Sequence, residues 1–107
     1  MRTITGKVDC QSTKEIPVGS VIFISFAVDK KVVGRQTLQN IENFPFEYRV
    51  NLDDDSGVES VDLLDVRVNI ERGEMTIFCN GENGIEQVNL ASLAQPDYLD
   101  IQLRSYP

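Results

Sequence analysis

Few side chains in this sequence could carry out chemistry. The chain contains no histidine, so it lacks the usual general base of hydrolases and the commonest ligand of zinc, copper and haem iron. It contains two cysteines, Cys10 and Cys79, and two isolated thiolates do not complete a tetrahedral zinc site. A cysteine nucleophile needs a neighbouring base to form the thiolate, and only lysine or a carboxylate could act as that base here. The sequence therefore predicts no catalytic centre and no cofactor.

Carboxylates are the remaining candidates for chemistry. They group in three places: Asp53-Asp54-Asp55 with Glu59, Glu71 with Glu74, and Glu82 with Glu86. The first group offers the oxygen ligands that calcium prefers, but its spacing does not match the EF-hand pattern, and a solvated turn is the favoured interpretation. Either pair would have to be held about 5–10 Å apart across a cleft to hydrolyse a glycoside. Both pairs fall in predicted turns, so we expect surface charges and no metal.

The two cysteines permit one intramolecular disulfide between Cys10 and Cys79. Closing a loop of about 70 residues would stabilise the fold by roughly 4 kcal/mol in the chain-entropy model. Each cysteine lies in a run typical of a strand, and nothing in the sequence shows that the two strands approach each other. A disulfide and two buried free thiols both remain open.

Charge restricts the class of partner. The net charge is −7, and such a chain repels phosphate backbones and anionic headgroups. No segment approaches the ~18 consecutive apolar residues of a spanning helix, and the first residues lack the apolar core of a signal peptide. We expect a protein or peptide partner, no nucleic acid, no direct membrane insertion of this domain, and a monomer or weak dimer.

Alternation of apolar and polar residues, the mark of half-buried strands, runs through the whole sequence. It is cleanest from Leu64 to Ile70. The continuous apolar run at 21–28 instead predicts a central strand covered on both faces. The predicted strands lie at 4–10, 21–28, 32–39, 44–50, 64–70, 75–79, 85–90 and 99–103, with a helical turn at 90–94. These runs predict one all-β domain over residues 1–107, an antiparallel two-sheet β-sandwich of about seven or eight strands.

Two of these strands carry signals of a sheet edge. Gly34 and Arg35 interrupt the strand at 32–39, which suits an edge position. Pro45 lacks a backbone donor, so the strand at 44–50 should begin there or lie at an edge. An exposed edge can capture a peptide. The candidate partner-binding residues on these strands are Leu38, Phe44, Phe46 and Tyr48. Tyr98 and Tyr106 are further candidates for interface anchors, with packing in the core or at its rim as the alternative for each aromatic.

Four segments carry a resemblance to a known family. They are Ile4-Thr5-Gly6-Lys7-Val8, Ile16-Pro17-Val18-Gly19-Ser20-Val21, Asn43-Phe44-Pro45-Phe46-Glu47-Tyr48, and the hairpin from Val66 to Met75. Across roughly residues 3 to 79 the chain resembles the YbaY/YscW-like family of small bacterial lipoproteins, which includes the pilotins of type III secretion systems. Cys10 lies inside the first predicted strand and does not match the family's acylated cysteine.

The resemblance implies a function for the domain. It implies a non-enzymatic, chaperone-like β-sandwich that binds the C-terminal segment of a secretin and aids its assembly in the outer membrane. The implied location is the periplasm or an outer-membrane anchor. Two other hypotheses stay open. One is a structural or ligand-carrying sandwich, transthyretin-like or immunoglobulin-like, from a larger or eukaryotic protein; the other is an enzyme that uses carboxylates alone.

Overall fold

The computed structural model describes residues 2–53, 63–81, 84–89 and 97–106. Within these ranges the regular structure consists of strands, and each of the eight predicted runs overlaps one. They are β1 (Arg2–Cys10), β2 (Ser20–Val28), β3 (Lys31–Gln39), β4 (Phe46–Leu52), β5 (Leu63–Arg72), β6 (Met75–Asn80), β7 (Glu86–Asn89) and β8 (Ile101–Ser105). The helical turn predicted at 90–94 lies outside the described residues, as do Asp54, Asp55, Glu59 and Glu82.

One core is built from the inward side chains of these strands. On β5, every second residue from Leu64 to Ile70 is fully buried, as the alternation predicts. β1 contributes Ile4, Val8 and Cys10 to the same core. The other strands add further buried residues, and Ile16 and Phe44 from outside the strands complete the cluster. The strand residues are Ile22, Ile24, Phe26, Val28, Val33, Phe46, Tyr48, Val50, Leu52, Phe78, Ile101 and Leu103.

The strands form a single mixed sheet, so the predicted antiparallel two-sheet sandwich is wrong. The order in the sheet is β3-β2-β5-β6-β8-β1-β4, with β7 paired to β5 beside this path. The last strand causes the difference. β8 pairs in parallel with β1, Val8 opposite Ile101, and antiparallel with β6 on its other side. It therefore joins strands that would otherwise belong to two sheets.

The two ends of the sheet approach each other, which nearly closes it into a barrel. β3 and β4 are the ends of the strand order, as predicted for β3. β4 also begins at Phe46, directly after Pro45, so both alternatives offered for that strand hold. The Asp53 amide donates a hydrogen bond to the Val33 carbonyl across the seam, with N and O 2.8 Å apart. Gly34 lies against β4 so closely that a Cβ there would be 2.8 Å from the Asn51 carbonyl oxygen.

β2 differs from its prediction in one respect. Its apolar run was expected to be central and covered on both faces, but β2 lies next to the end strand β3. Ile22, Ile24 and Phe26 face the core, whereas Phe23 on the opposite face is 41% exposed. A continuous apolar run thus marks a strand with one buried face and one partly apolar outer face.

A side chain fills a gap in the ladder on β5. β5 pairs with β6 over residues 69–72 and with β7 over residues 63–66. Between these stretches, Asn80 Oδ1 accepts a hydrogen bond from the Val68 amide, and Asn80 Nδ2 donates one to the Val66 carbonyl, both at 2.9 Å. The side chain is fully buried. It replaces a backbone amide where β6 ends and the chain turns at Gly81, whose φ is 64°.

Replacing Asn80 tests how much its two hydrogen bonds to β5 contribute to stability. Asn80→Ala leaves the Val68 N–H and the Val66 carbonyl buried without these partners, so we expect the free energy of unfolding in urea to fall by about 2–4 kcal/mol. Gln87→Ala is the matched control, because Gln87 also bonds β5 through its amide, to Asp65 at 3.2 Å, but at an exposed site. The control should lose less than about 0.5 kcal/mol. Equal losses would show that burial of Asn80 is not what matters.

Candidate functional site

A groove lined largely by polar and charged residues crosses the outer face of β1 and β4. Its volume is about 430 Å³. The β1–β4 register places Thr5 opposite Arg49 and Lys7 opposite Glu47, so these four outward side chains share one face. The groove is lined by Thr5, Gly6, Lys7, Gln36, Glu47, Tyr48, Arg49 and Tyr98. Gln36 of β3 and Tyr98 lie on opposite sides of the β1–β4 pair.

The segment that carries Tyr98 is hydrogen-bonded to β1. The Thr5 amide donates to the Asp97 carbonyl at 3.1 Å, and the Leu99 amide donates to the Thr5 carbonyl at 2.8 Å. The Tyr48 hydroxyl donates to the Leu99 carbonyl at 2.6 Å, which ties the segment to β4 as well. Tyr98 is thereby held at the groove with 39% of its surface exposed.

Gly6 is required where this segment crosses β1. A Cβ at Gly6 would lie 1.8 Å from the Leu99 carbonyl oxygen and 2.6 Å from its carbon. Any other residue would displace the Leu99 backbone, since real contacts of this kind stay well above 3 Å. A glycine inside a strand is a signal of close backbone approach, but the sequence does not show which segment approaches.

An ion pair fixes the start of the same segment. Arg2 Nε lies 2.6 Å from Asp97 Oδ2, and Arg2 Nη2 lies 3.0 Å from Asp97 Oδ1. This is the bidentate geometry of the stronger arginine–carboxylate pairs. The two side chains are 23% and 14% exposed. The Arg2 guanidinium therefore lowers the pKa of the Asp97 carboxyl.

The hydroxyl groups of the groove stay protonated at neutral pH. A hydrogen bond to the Asp100 carboxylate raises the pKa of Tyr98, and burial raises the pKa of Tyr48 above its ordinary range, with a further contribution from Asp100. Both tyrosines therefore serve as hydrogen-bond donors. Asp100 is held in place in turn, because its Oδ1 accepts a hydrogen bond from the Lys7 amide at 3.1 Å.

The predicted partner-binding residues lie mostly in the core. Phe44, Phe46 and Tyr48 are only 4%, 7% and 3% exposed, and Leu38 is partly buried and packed against the same core. The ring of Phe44 packs edge-on against Phe78, with centroids 5.4 Å apart. These side chains shape β3 and β4 from inside. A partner at this edge would instead meet the β4 backbone and its outward side chains.

Both cysteines are buried free thiols. Cys10 lies opposite Leu103 of β8, and Cys79 lies opposite the next residue, Arg104, on the other side of the same strand. Two strand spacings amount to about 9.6 Å, beyond the roughly 4.4–6.8 Å between Cα atoms that a disulfide spans. Cys10 also belongs to the core cluster. On β6 the member of that cluster is Phe78, and its chain neighbour Cys79 is not among the members. The possible disulfide is not formed in this fold.

Two kinds of site are not found in the described ranges. No three or more cysteine, aspartate or glutamate side chains there are grouped so that they could hold a metal ion. None of the described residues form a helix long and apolar enough to cross a membrane.

The fold is similar to that of a solved protein. The structure of an alternative pilotin from the type II secretion system of Vibrio cholerae matches this chain with a TM-score of 0.71. The match covers 99% of this chain and 97% of the pilotin chain, at 14% sequence identity. No family model matches the sequence, and no curated protein matches it. The chain thus has a pilotin-like fold, and neither the YbaY/YscW family specifically nor a type III system is supported.

The Arg2–Asp97 pair makes stability depend on pH. Because the folded-state pKa of Asp97 is lowered, its contribution is present above the unfolded pKa of about 3.9 and is lost as pH falls through the folded value. We expect a double-mutant cycle of Arg2→Gln and Asp97→Asn to give a coupling energy of about 1 kcal/mol at pH 7. The coupling should be smaller at about pH 3, below the unfolded pKa, and is lost once Asp97 is protonated in the folded state. Coupling that does not change between the two pH values would contradict the assignment.

Proposed function

We propose that this chain is a non-enzymatic, pilotin-like protein-binding module that binds a segment of a secretin and aids its assembly in the outer membrane. The observation that carries the proposal is the match to the Vibrio cholerae pilotin, with a TM-score of 0.71 over 99% of this chain. The proposed location is the periplasm, free or anchored to the outer membrane.

The extent of the match is what makes it informative. Since the match covers 97% of the pilotin chain, nearly every part of that fold has a structural counterpart here. A binding surface built on those strands therefore has an equivalent position in this chain. Side chains at that position are free to differ at 14% identity, because function depends on the site and not on the fold.

The groove fits recognition better than catalysis. Its ionisable groups are Lys7, Glu47, Arg49 and the tyrosines, of which both tyrosine hydroxyls are held protonated. A general base works best with a pKa near the operating pH, and raised tyrosine pKa values move away from that condition. Hydrogen-bond donors and charges of both signs on an open face are suited to a peptide.

Binding of a secretin segment tests the proposal directly. Titration calorimetry of this chain with a synthetic peptide of the C-terminal segment of the secretin encoded in the same genome should show saturable one-to-one binding. The type II secretin is the first to test, since the structural neighbour serves a type II system. We expect a dissociation constant of about micromolar order, as in transient complexes.

A scrambled peptide of the same composition is the control and should not bind. Circular dichroism should show a β spectrum before and after titration, so that a negative result refers to folded protein. The proposal would be contradicted if no secretin segment of the host saturated the protein at about millimolar peptide. That concentration corresponds to a binding free energy of roughly −4 kcal/mol.

A further inference from the structure

The hydrogen bonds of β1 determine which way the edge of β4 points. Thr5 uses its amide and carbonyl to bond Asp97 and Leu99, and the Lys7 amide bonds Asp100. The backbone groups of Thr5 and Lys7 are therefore directed away from β4. In an antiparallel pair of strands, a residue whose amide and carbonyl point away from the neighbouring strand stands opposite a residue that does the same. The two form a non-hydrogen-bonded pair. The partners of Thr5 and Lys7 are Arg49 and Glu47, so these two residues direct their own amides and carbonyls away from β1.

The contacts on the far side of β4 agree with this direction. The Arg49 amide donates to Gln36 Oε1 at 3.0 Å, and the Asp53 amide donates to the Val33 carbonyl at 2.8 Å. At Asp53 the acceptor is the backbone of β3, whereas at Arg49 it is a side chain. Glu47 is the next residue in the same two-residue series, and within the described ranges β4 has no strand paired on this side.

Gln36 thus occupies the place of a missing strand. Its amide oxygen takes the bond that a backbone carbonyl of a neighbouring strand would take. Gln36 lies where the β3–β4 seam changes from the backbone hydrogen bond at Asp53 to a side-chain contact. The Gln36 side chain can move away from the Arg49 amide by rotation about its single bonds. A paired strand could not be displaced in this way. A sheet edge that is met by a side chain, with no strand paired to it in the described ranges, is a template for pairing with another chain.

We propose that a short extended segment of the partner adds to β4 at Glu47 and Arg49, displacing the Gln36 side chain. This inference rests on the proposed function and assigns the conformation of the bound secretin segment. An extended segment fits because the available groups are main-chain donors and acceptors. A helix has already used its own main-chain groups internally. Lys7, Arg49 and Tyr98 then line the groove beside the added strand.

Amide exchange of the complex tests this assignment. With the same secretin peptide at saturation, exchange followed by NMR should slow at the Glu47 and Arg49 amides by about tenfold or more. Amides of β7, a short exposed strand elsewhere, should change much less. The main-chain character is tested with a peptide N-methylated at alternate residues, which should lose about tenfold in affinity when the methylated amides face β4.

Variants of this chain distinguish main-chain hydrogen bonding at the β4 edge from contacts made by side chains. Glu47→Pro removes one edge donor at a position where proline is tolerated, because that amide is outside the β1 ladder, and it should weaken binding about tenfold relative to Glu47→Ala. Gln36→Ala removes the competing acceptor and should tighten binding by about two- to fivefold. Thr37→Ala, on the exposed side of β3, is the matched control and should leave binding unchanged.

The outcomes distinguish the two proposals. If the peptide binds but protection falls outside β4, or Glu47→Pro binds as tightly as Glu47→Ala, strand addition is overturned and the pilotin-like function stands. If no secretin segment binds the folded wild-type protein, both proposals are overturned. Protection at Glu47 and Arg49 with weakened Glu47→Pro supports strand addition.

Discussion

The contact between the Leu99 carbonyl and the bare α-carbon of Gly6 is the constraint on which the sheet depends. With no side chain at Gly6, the Leu99 backbone passes where a Cβ would lie 1.8 Å away. Hydrogen bonds on Thr5 hold the segment in that place, and the chain continues directly into β8. β8 then runs parallel to β1 and fills the space between β1 and β6. One close approach thereby changes two potential sheets into one.

The same contact prepares the proposed binding edge. Thr5 and Lys7 turn their backbone groups toward residues 97–100. Their partners on β4, Arg49 and Glu47, therefore turn their amides and carbonyls toward the seam with β3. β3 meets this edge with a backbone carbonyl at Val33 and with a side chain at Gln36. The groove, the position of Tyr98 and the direction of the β4 edge at Glu47 and Arg49 are therefore consequences of how the last strand enters the sheet.

The strands could be predicted from the sequence because alternation reports directly on a face that is buried, as on β5 from Leu64 to Ile70. The pairing of the strands could not, since a sandwich and a nearly closed barrel bury the same alternating residues and differ only in contacts between distant segments, such as Val8 with Ile101. The edge strands were identified from Gly34 and Pro45. The aromatic side chains chosen as contact residues are core, because alternation places Phe46 and Tyr48 on the inner face. Tyr98 is a candidate from the sequence alone and lies exposed at the groove, whereas Gln36 acquires its role only through a neighbour, Arg49, that sequence patterns do not reveal.

Unfolding of a Gly6→Ala variant in urea tests the central contact most directly. The added methyl group must displace the Leu99 backbone and its bonds to Thr5 and Tyr48, so the account predicts a loss of about 3 kcal/mol or more in the free energy of unfolding. Gly19→Ala is the control for the general effect of the substitution, since a Cβ there meets nothing within 4 Å, and its positive φ should cost only about 1 kcal/mol. A Gly6→Ala protein as stable as the Gly19→Ala protein would contradict the account.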